Sequence, residues 1–301
     1  MKLIKSNVEE WHCGYTLPKI WSHIAKCARV CYQSEPRNNG ETDEEFVKRV
    51  ILRNHSLKEI GESRGLQLKL HLSCLEHGTV YLDIPEDSKI RPHIFSANAF
   101  GKHYKIYNYN DFGKSMFAIT TNMRVIIERG LIYYLKYICA PTEHHYLRTT
   151  FNIITDIGVA RELARHRTHS ISEESTRYCN YSKDKFDNEL TFIIPEWVET
   201  CCPNTEHSGP SSTDMYWSSA CKEAESNYLR LLENGWTPQQ ARQILPLSTK
   251  VQTIHTTFDI DWFEFIELRA DACSGSVHPN MKVIANKIKN WIYERETNYI
   301  K

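Results

Sequence analysis

The chain has no surplus of charge of either sign: its 301 residues hold 37 Lys plus Arg and 37 Asp plus Glu. There is no global basic excess to hold a nucleic-acid backbone, and any anion site must be a local group of arginines. No apolar run approaches bilayer-spanning length, and the opening MKLIKSNVEEWHCG lacks the apolar core of a signal peptide. The expected compartment is the cytoplasm, with no membrane contact. Ten cysteines are present but no C-x-x-C pair, so they read as reduced thiols. Cys201, Cys202 and His207 lack a second ligand pair at zinc spacing, and no metal is expected. No internal repeat is visible. Apolar residues make up 41% and charged residues 25%, a globular composition long enough to bury a sizeable core.

Several elements are legible. Ile20, Ile24, Cys27 and Cys31 recur at steps of four and three, which predicts a helix over Trp21–Tyr32. Glu44–Arg53 is a second helix. Thr79–Ile84, stopped by Pro85, and Leu147–Ile154 read as strands. Ile157, Ala160, Leu163 and Ala164 predict a helix from Ile157 to His166, capped by Thr155 or Asp156. The polar stretch Glu199–Asp214 reads as a loop long enough to be a lid. Trp217, Cys221, Ala224, Tyr228 and Leu231 mark an amphipathic helix ending near Gly235. Thr237-Pro238-Gln239-Gln240 opens another helix, which Pro246 stops. Asp261, with Glu264 three later, starts one that carries Arg269.

The chemistry concentrates in Arg165-His166-Arg167-Thr168-His169-Ser170-Ile171-Ser172-Glu173-Glu174-Ser175-Thr176-Arg177-Tyr178. These polar side chains cannot share one helix face. They converge on a ligand or form a solvated charged turn. Hydroxyls, loop amides and an arginine fork together suit a phosphate. Arg242 and Arg269 each sit on an otherwise apolar helix, where a structural pair is an equal reading; Asp271 and Glu267 are candidate partners for Arg269. His71-Leu72-Ser73-Cys74-Leu75-Glu76-His77 is too sparse a set for a metal.

Together these segments resemble the flavin-dependent thymidylate synthases. That family's signature is R-H-R, seven residues, then S, which here is Arg165-His166-Arg167 and Ser175. Cys27–Tyr32 is similar to its A-A-R-V-S-[FY] segment, and His71–His77 to its H-x-[ST]-P-x-E-H segment. Arg242–Pro246 is similar to A-R-x-x-L-P, and Leu268-Arg269 with His278-Pro279-x-Met281 to its C-terminal active-site helix. The resemblance implies an α+β fold, a mixed, mainly antiparallel sheet flanked by long helices. It implies one domain over 1–301, with an insertion at about 81–145, and a homotetramer with sites at subunit interfaces. It also implies reductive methylation of dUMP to dTMP, with methylene-tetrahydrofolate as carbon donor and FAD reduced by NADPH. His71, Ser73, Arg165, His166, Arg167 and Glu173 would bind FAD. Glu162, Arg165, Glu174, Ser175, Thr176, Arg177, Arg242 and Arg269 would bind the nucleotide, with Arg269 the catalytic contact to the uracil edge. An arginine cannot lose its proton there, so it acts by charge and hydrogen bonding.

The departures are specific. Glu162 stands where the family commonly has Gln, and a carboxylate there needs a partner such as Arg161 or Arg165. Ser172 replaces an Asn, Cys31 a small hydroxyl residue, and Phe258 and Ile260 an N-x-R pair that would contact FAD. Within the insertion, Phe117–Ile127 can pair with the sheet and Leu131–Ile138 reads as helical. Glu162 motivates one rival, a sister enzyme acting on another pyrimidine nucleotide such as dCMP. A non-enzymatic nucleic-acid-binding protein is a second rival, which the neutral charge disfavours.

Overall fold

The computed structural model describes residues 1–37, 39–53, 56–62, 72–86, 103–198, 212–273 and 275–299. The chain opens with β1 (Lys2–Ile4) and β2 (Asn7–Glu10), then α1 (Leu17–Val30), α2 (Asp43–Val50) and α3 (Leu57–Glu62). Ile20, Trp21, Ile24, Ala25 and Ala28 repeat at helical steps, and all are buried, so α1 forms as one wall of a core. α2 starts in a reciprocal box: the Glu45 amide donates to Thr42 Oγ1 at 3.2 Å, and the Thr42 amide to Glu45 Oε2 at 2.8 Å.

A 3-10 turn, Leu72–His77, leads into β3 (Thr79–Pro85). The hairpin β4 (Lys105–Asp111) and β5 (Lys114–Asn122) completes a three-stranded antiparallel sheet, β3-β5-β4. Phe112 and Gly113 at its turn have φ of 45° and 82°, the left-handed pair that a two-residue hairpin turn requires. The strand part of Phe117–Ile127 thus pairs with β3 and β4 and not with the main sheet. It also breaks after Asn122, whose side chain accepts from the Val125 amide at 3.1 Å and starts α4 (Met123–Glu128). Leu131–Ile138 is helical as a 3-10 segment, Ile132–Tyr137.

The remaining elements are β6 (Arg148–Asp156), α5 (Ile157–Leu163), β7 (Ser170–Glu173), β8 (Thr191–Ile193), α6 (Ser212–Glu233), α7 (Pro238–Ala241), β9 (Lys250–Phe258), α8 (Asp259–Arg269) and α9 (Pro279–Tyr299). The main sheet runs β2-β6-β9-β7, antiparallel throughout, and β1 pairs parallel with β8. The α+β architecture with mixed, mainly antiparallel sheets is therefore the one expected. α6 ends at Gly235 (φ 88°), with the Trp236 amide reaching back to the Leu231 carbonyl at 2.9 Å. Gln240 Oε1 accepts from the Thr237 amide at 2.9 Å to open α7.

Two apolar clusters hold the sheets. One joins α1, α2, α4, β3 and β5 through Ile20, Val47, Leu82, Ile119 and Ile126. The other packs Phe151 and Ile153 of β6 under Trp262 and Phe265 of α8 and Ile284 and Ile288 of α9. Each such buried side chain contributes about 1.5–3 kcal/mol. Between 3-10 turn and main sheet lies a polar seam. His77 Nδ1 meets Thr256 Oγ1 at 2.7 Å and His77 Nε2 meets Ser172 Oγ at 2.9 Å. Thr256 Oγ1 meets Thr150 Oγ1 at 2.7 Å, and Thr150 meets His23 Nε2 at 3.3 Å. These linked hydrogen bonds fix the register of the layers. No described helix is long and apolar enough to cross a membrane.

Candidate functional site

The signature turn is set by the end of β6. Asp156, not Thr155, caps α5: its Oδ1 accepts from the Val159 amide at 2.8 Å, while Oδ2 accepts from Asn280 Nδ2 at 3.0 Å. α5 closes at Leu163, three residues short of the expected His166. The Arg165 and His166 amides reach back only to the Glu162 and Leu163 carbonyls, both at 3.1 Å. This tighter winding turns Arg165, His166 and Arg167 out of the helix, and β7 then returns the chain to the sheet.

Arg269, at the last turn of α8, reaches that turn. Its Nε donates to His166 Nε2 at 3.2 Å and its Nη1 to Glu162 Oε2 at 3.4 Å. An acceptor at Nε2 assigns the His166 proton to Nδ1. Burial, followed by the Arg269 charge, lowers the His166 pKa from 6.5 to about 4. The imidazole is thus neutral at physiological pH, held edge-on to the Phe265 ring at 4.9 Å. Glu162 has Arg269 as its ion-pair partner, and not Arg161 or Arg165. Asp271, a candidate partner for Arg269, pairs with Lys289 at 2.5 Å instead.

A second group forms at the end of β7. The Ser175 amide donates to the Cys31 carbonyl at 3.0 Å, anchoring the loop to α1. Arg242 Nη1 donates to Thr176 Oγ1 at 3.4 Å, and Arg177 Nε to Gln239 Oε1 at 3.0 Å. Arg177 and Arg242 are both exposed, so this cationic patch opens to the surface. The Tyr32 and Tyr178 rings meet beside it at 5.1 Å. Arg165 is exposed with no side-chain partner among the described residues, and Arg167 and Ser73 are also exposed. Glu173 keeps solvent access, yet the protein packed around its carboxyl and the neighbouring Glu174 raise its pKa. His71 and the Cys201, Cys202 and His207 group lie outside the described residues, as does most of the Glu199–Asp214 loop.

Glu174 does not join either group. Its side chain is fully buried, and its two oxygens accept from Tyr181 Oη at 3.0 Å, Lys250 Nζ at 2.7 Å and the Gln252 amide at 3.1 Å. A cavity of about 380 Å³ adjoins these partners, lined by Lys26, Arg29, Gln33, Tyr181, Lys185 and Lys250, and no expected site residue lines it. Sequence reasoning placed Cys31 near the site but missed its neighbour. Ser172 Oγ donates to Cys74 Sγ at 3.8 Å, and the hydrogen bond from Cys74, then that from Ser172, lowers the Cys31 pKa from 9.0 to about 7. The signal was the fourth residue of the His71–His77 segment, a cysteine one turn from Ser172 only in three dimensions.

With this geometry in hand, the chain was compared with known proteins. A family model described as "Thymidylate synthase complementing protein" matches residues 128–295, more than half of the chain. That stretch holds Arg165–Tyr178, Arg242 and Arg269, and leaves His71–His77 outside. A flavin-dependent thymidylate synthase of Thermosipho africanus is 30% identical over 148 residues, covering 48% of this chain and 64% of the relative. A probable flavin-dependent thymidylate synthase of Paramecium bursaria Chlorella virus 1 is 29% identical over 125 residues, covering 40% and 56%. The chain thus spans 64% of the length of the first of these relatives. A solved UMP/dUMP methylase PolB from Streptomyces cacaoi, bound with 5-Br dUMP, is 17% identical, with a TM-score of 0.42 over 98% of this chain and 93% of that one. On the match over residues 128–295, which takes in the whole signature turn and its arginine partner on α8, the chain belongs to the thymidylate synthase complementing protein family.

Proposed function

We propose that this protein is a flavin-dependent thymidylate synthase, methylating dUMP to dTMP with methylene-tetrahydrofolate as carbon donor and NADPH as the source of reducing equivalents. The observation that carries the reading is the contact of Arg269 with His166, which joins the signature turn to a helix 103 residues away. A solvated charged turn has no reason to recruit a distant guanidinium by way of a neutral imidazole.

FAD fits the donor set at the turn. Arg165 has no side-chain partner among the described residues, Arg167 and Ser73 are open to solvent, and the cationic groups suit a reduced, anionic ring or a pyrophosphate. Phe258 is buried and Ile260 exposed, so the positions of the family's N-x-R pair offer no polar contact, and the turn carries the larger share. When bound, the flavin supplies the hydride. Arg165, Arg167 and His166 would hold it, with Ser73 and Glu173 at the rim.

Ser175, Thr176, Arg177 and Arg242 would hold the nucleotide phosphate, through hydroxyls and two guanidinium forks. Arg269 would donate to the uracil edge and favour charge build-up toward C5. Its own proton is not transferable, so its effect is electrostatic. Glu162 and His166 fix the guanidinium from behind, the carboxylate by charge and the imidazole by accepting at Nε2. Glu174 would act one step away, anchoring the strand from which Ser175 emerges. The open cationic patch supports completion of each site by a neighbouring subunit in a homotetramer.

The test incubates purified protein with dUMP, methylene-tetrahydrofolate, NADPH and FAD. Formation of dTMP is expected. Turnover of dCMP without turnover of dUMP would replace this reading with the sister enzyme.

A further inference from the structure

Arg148 opens β6 at the foot of the insertion and has no part in the site above. The residue is 7% exposed. Its Nη1 donates to the Glu76 carbonyl at 3.1 Å and to Thr79 Oγ1 at 3.2 Å, both neutral acceptors. Its Nε finds no acceptor. The Glu76 carboxylate is turned away, held by Arg124 and by His103 at 3.3 Å. The Phe258 ring, 5.5 Å away, gives only a weak cation–π contact. A buried guanidinium without a counter-ion is costly, and no carboxylate among the described residues pairs with it.

Arg148 also lines a cavity of about 130 Å³. Arg295 of α9 lines it too, with Nη2 on Asp259 at 2.6 Å and Nη1 on Thr149 Oγ1 at 2.7 Å. Glu10 is the carboxylate in the wall, and it is drawn to Arg295 and His12, both at 3.6 Å. His12, with 81% of its side chain exposed, and Tyr15, 46% exposed, form the open rim. A water occupies about 30 Å³ of liquid, so the cavity has room for a phosphate- or carboxylate-sized group.

We propose that this cavity binds a small oxyanion, free or at the end of a metabolite, with Arg148 as the charge that selects it. The anion supplies the counter-charge that the fold leaves out, and its remaining oxygens find Arg295 and the Tyr81 hydroxyl. This site is separate from the Ser175–Arg177 and Arg242 patch.

The experiment is calorimetric titration of the full chain with inorganic phosphate and, separately, acetate at fixed ionic strength. Wild type, Arg148→Met and Arg177→Ala are compared, each with and without saturating dUMP. Methionine removes the charge while keeping apolar volume, a change that buried ionic sites tolerate. The expected result is one saturable site that weakens by roughly tenfold or more in Arg148→Met, as loss of a charged hydrogen bond requires. That site is unchanged in Arg177→Ala and is not displaced by dUMP. A second readout needs no variant: Cys13 lines the same cavity, so saturating anion should slow its alkylation in wild type. Equal affinity in Arg148→Met, or anion binding lost only with Arg177 and displaced by dUMP, overturns the proposal. So does Cys13 alkylation that ignores saturating anion. Failure of the nucleotide assignment would appear separately, as a dUMP affinity that Arg177→Ala leaves at the wild-type value.

Discussion

Removing the Glu174 carboxylate should destabilise the fold far more than it weakens nucleotide binding. The side chain has no solvent exposure, and Lys250, its ion-pair partner at 2.7 Å, retains 19%. Breaking a buried pair by deleting one partner costs about 3–5 kcal/mol, and the partial exposure of Lys250 places Glu174→Ala near about 3 kcal/mol. Unfolding entropy near 60 °C is about 2.1 cal/mol/K per residue, or about 0.6 kcal/mol/K for this chain, so the melting temperature should fall by about 5 °C. Thermal unfolding followed by circular dichroism measures this. Adding Lys250→Met should restore part of the loss, because the orphaned ammonium goes with the pair. If Glu174→Ala melts within ~1 °C of wild type while its affinity for dUMP collapses, the carboxylate faces the nucleotide and the buried assignment is wrong.

Three further outcomes follow from the site and its surroundings. Arg269→Ala should lower turnover by roughly 100-fold or more while the flavin absorbance persists; loss of bound flavin would place Arg269 on the cofactor instead. Burial holds His23, His166 and His255 neutral, with pKa values near about 3, about 4 and about 3 against 6.5. The unfolded chain therefore binds more protons between these values and 6.5, and stability must fall as pH drops through that window. Urea unfolding at pH 7 and pH 5 should differ by about 2 kcal/mol for each of His23 and His255 and by less for the partly solvated His166, and a flat profile would refute the buried, neutral assignment. Cys31 should react with iodoacetamide with a midpoint near about 7, and Cys74→Ala should raise that midpoint; a wild-type midpoint at the ordinary thiol value of 9.0 would remove the Cys74 hydrogen bond from the account.

The legible elements were those whose signal is local. The Asp156 cap, the glycine at 235 and the Thr237 box each act within four residues, so the helices they bound were readable. β9 was not, although it is central to the main sheet. Thr253, His255, Thr256 and Thr257 are buried and polar, and their partners arrive from other elements, such as His77 to Thr256 and His169 to His255 at 3.1 Å. A strand whose interior face is satisfied by hydrogen bonds leaves no apolar alternation to find. α8 begins at Asp259 and not Asp261, with Phe258 as an N-cap that makes no side-chain hydrogen bond, so no capping residue marks its start in the sequence. At the site, residue types and order were readable from the resemblance. The inward turn of Glu174 and the pairing of Glu162 with Arg269 were not, since both depend on side-chain directions set by distant packing.

The chain leaves the 3-10 turn at Thr79 and returns at Arg148, where the two side chains touch at 3.2 Å across 69 residues of chain. A short linker would bridge that gap, so excising the excursion looks simple on paper. Yet Arg124, the cation on the buried Glu76 carboxylate, comes from inside the excised stretch, as does His103, whose Nε2 lies 3.3 Å from that carboxylate. A shortened chain would strand that carboxylate in an apolar interior. A shortened protein would therefore need Glu76→Gln made in the same step. The excursion and the turn behave as one module, to be kept or discarded together.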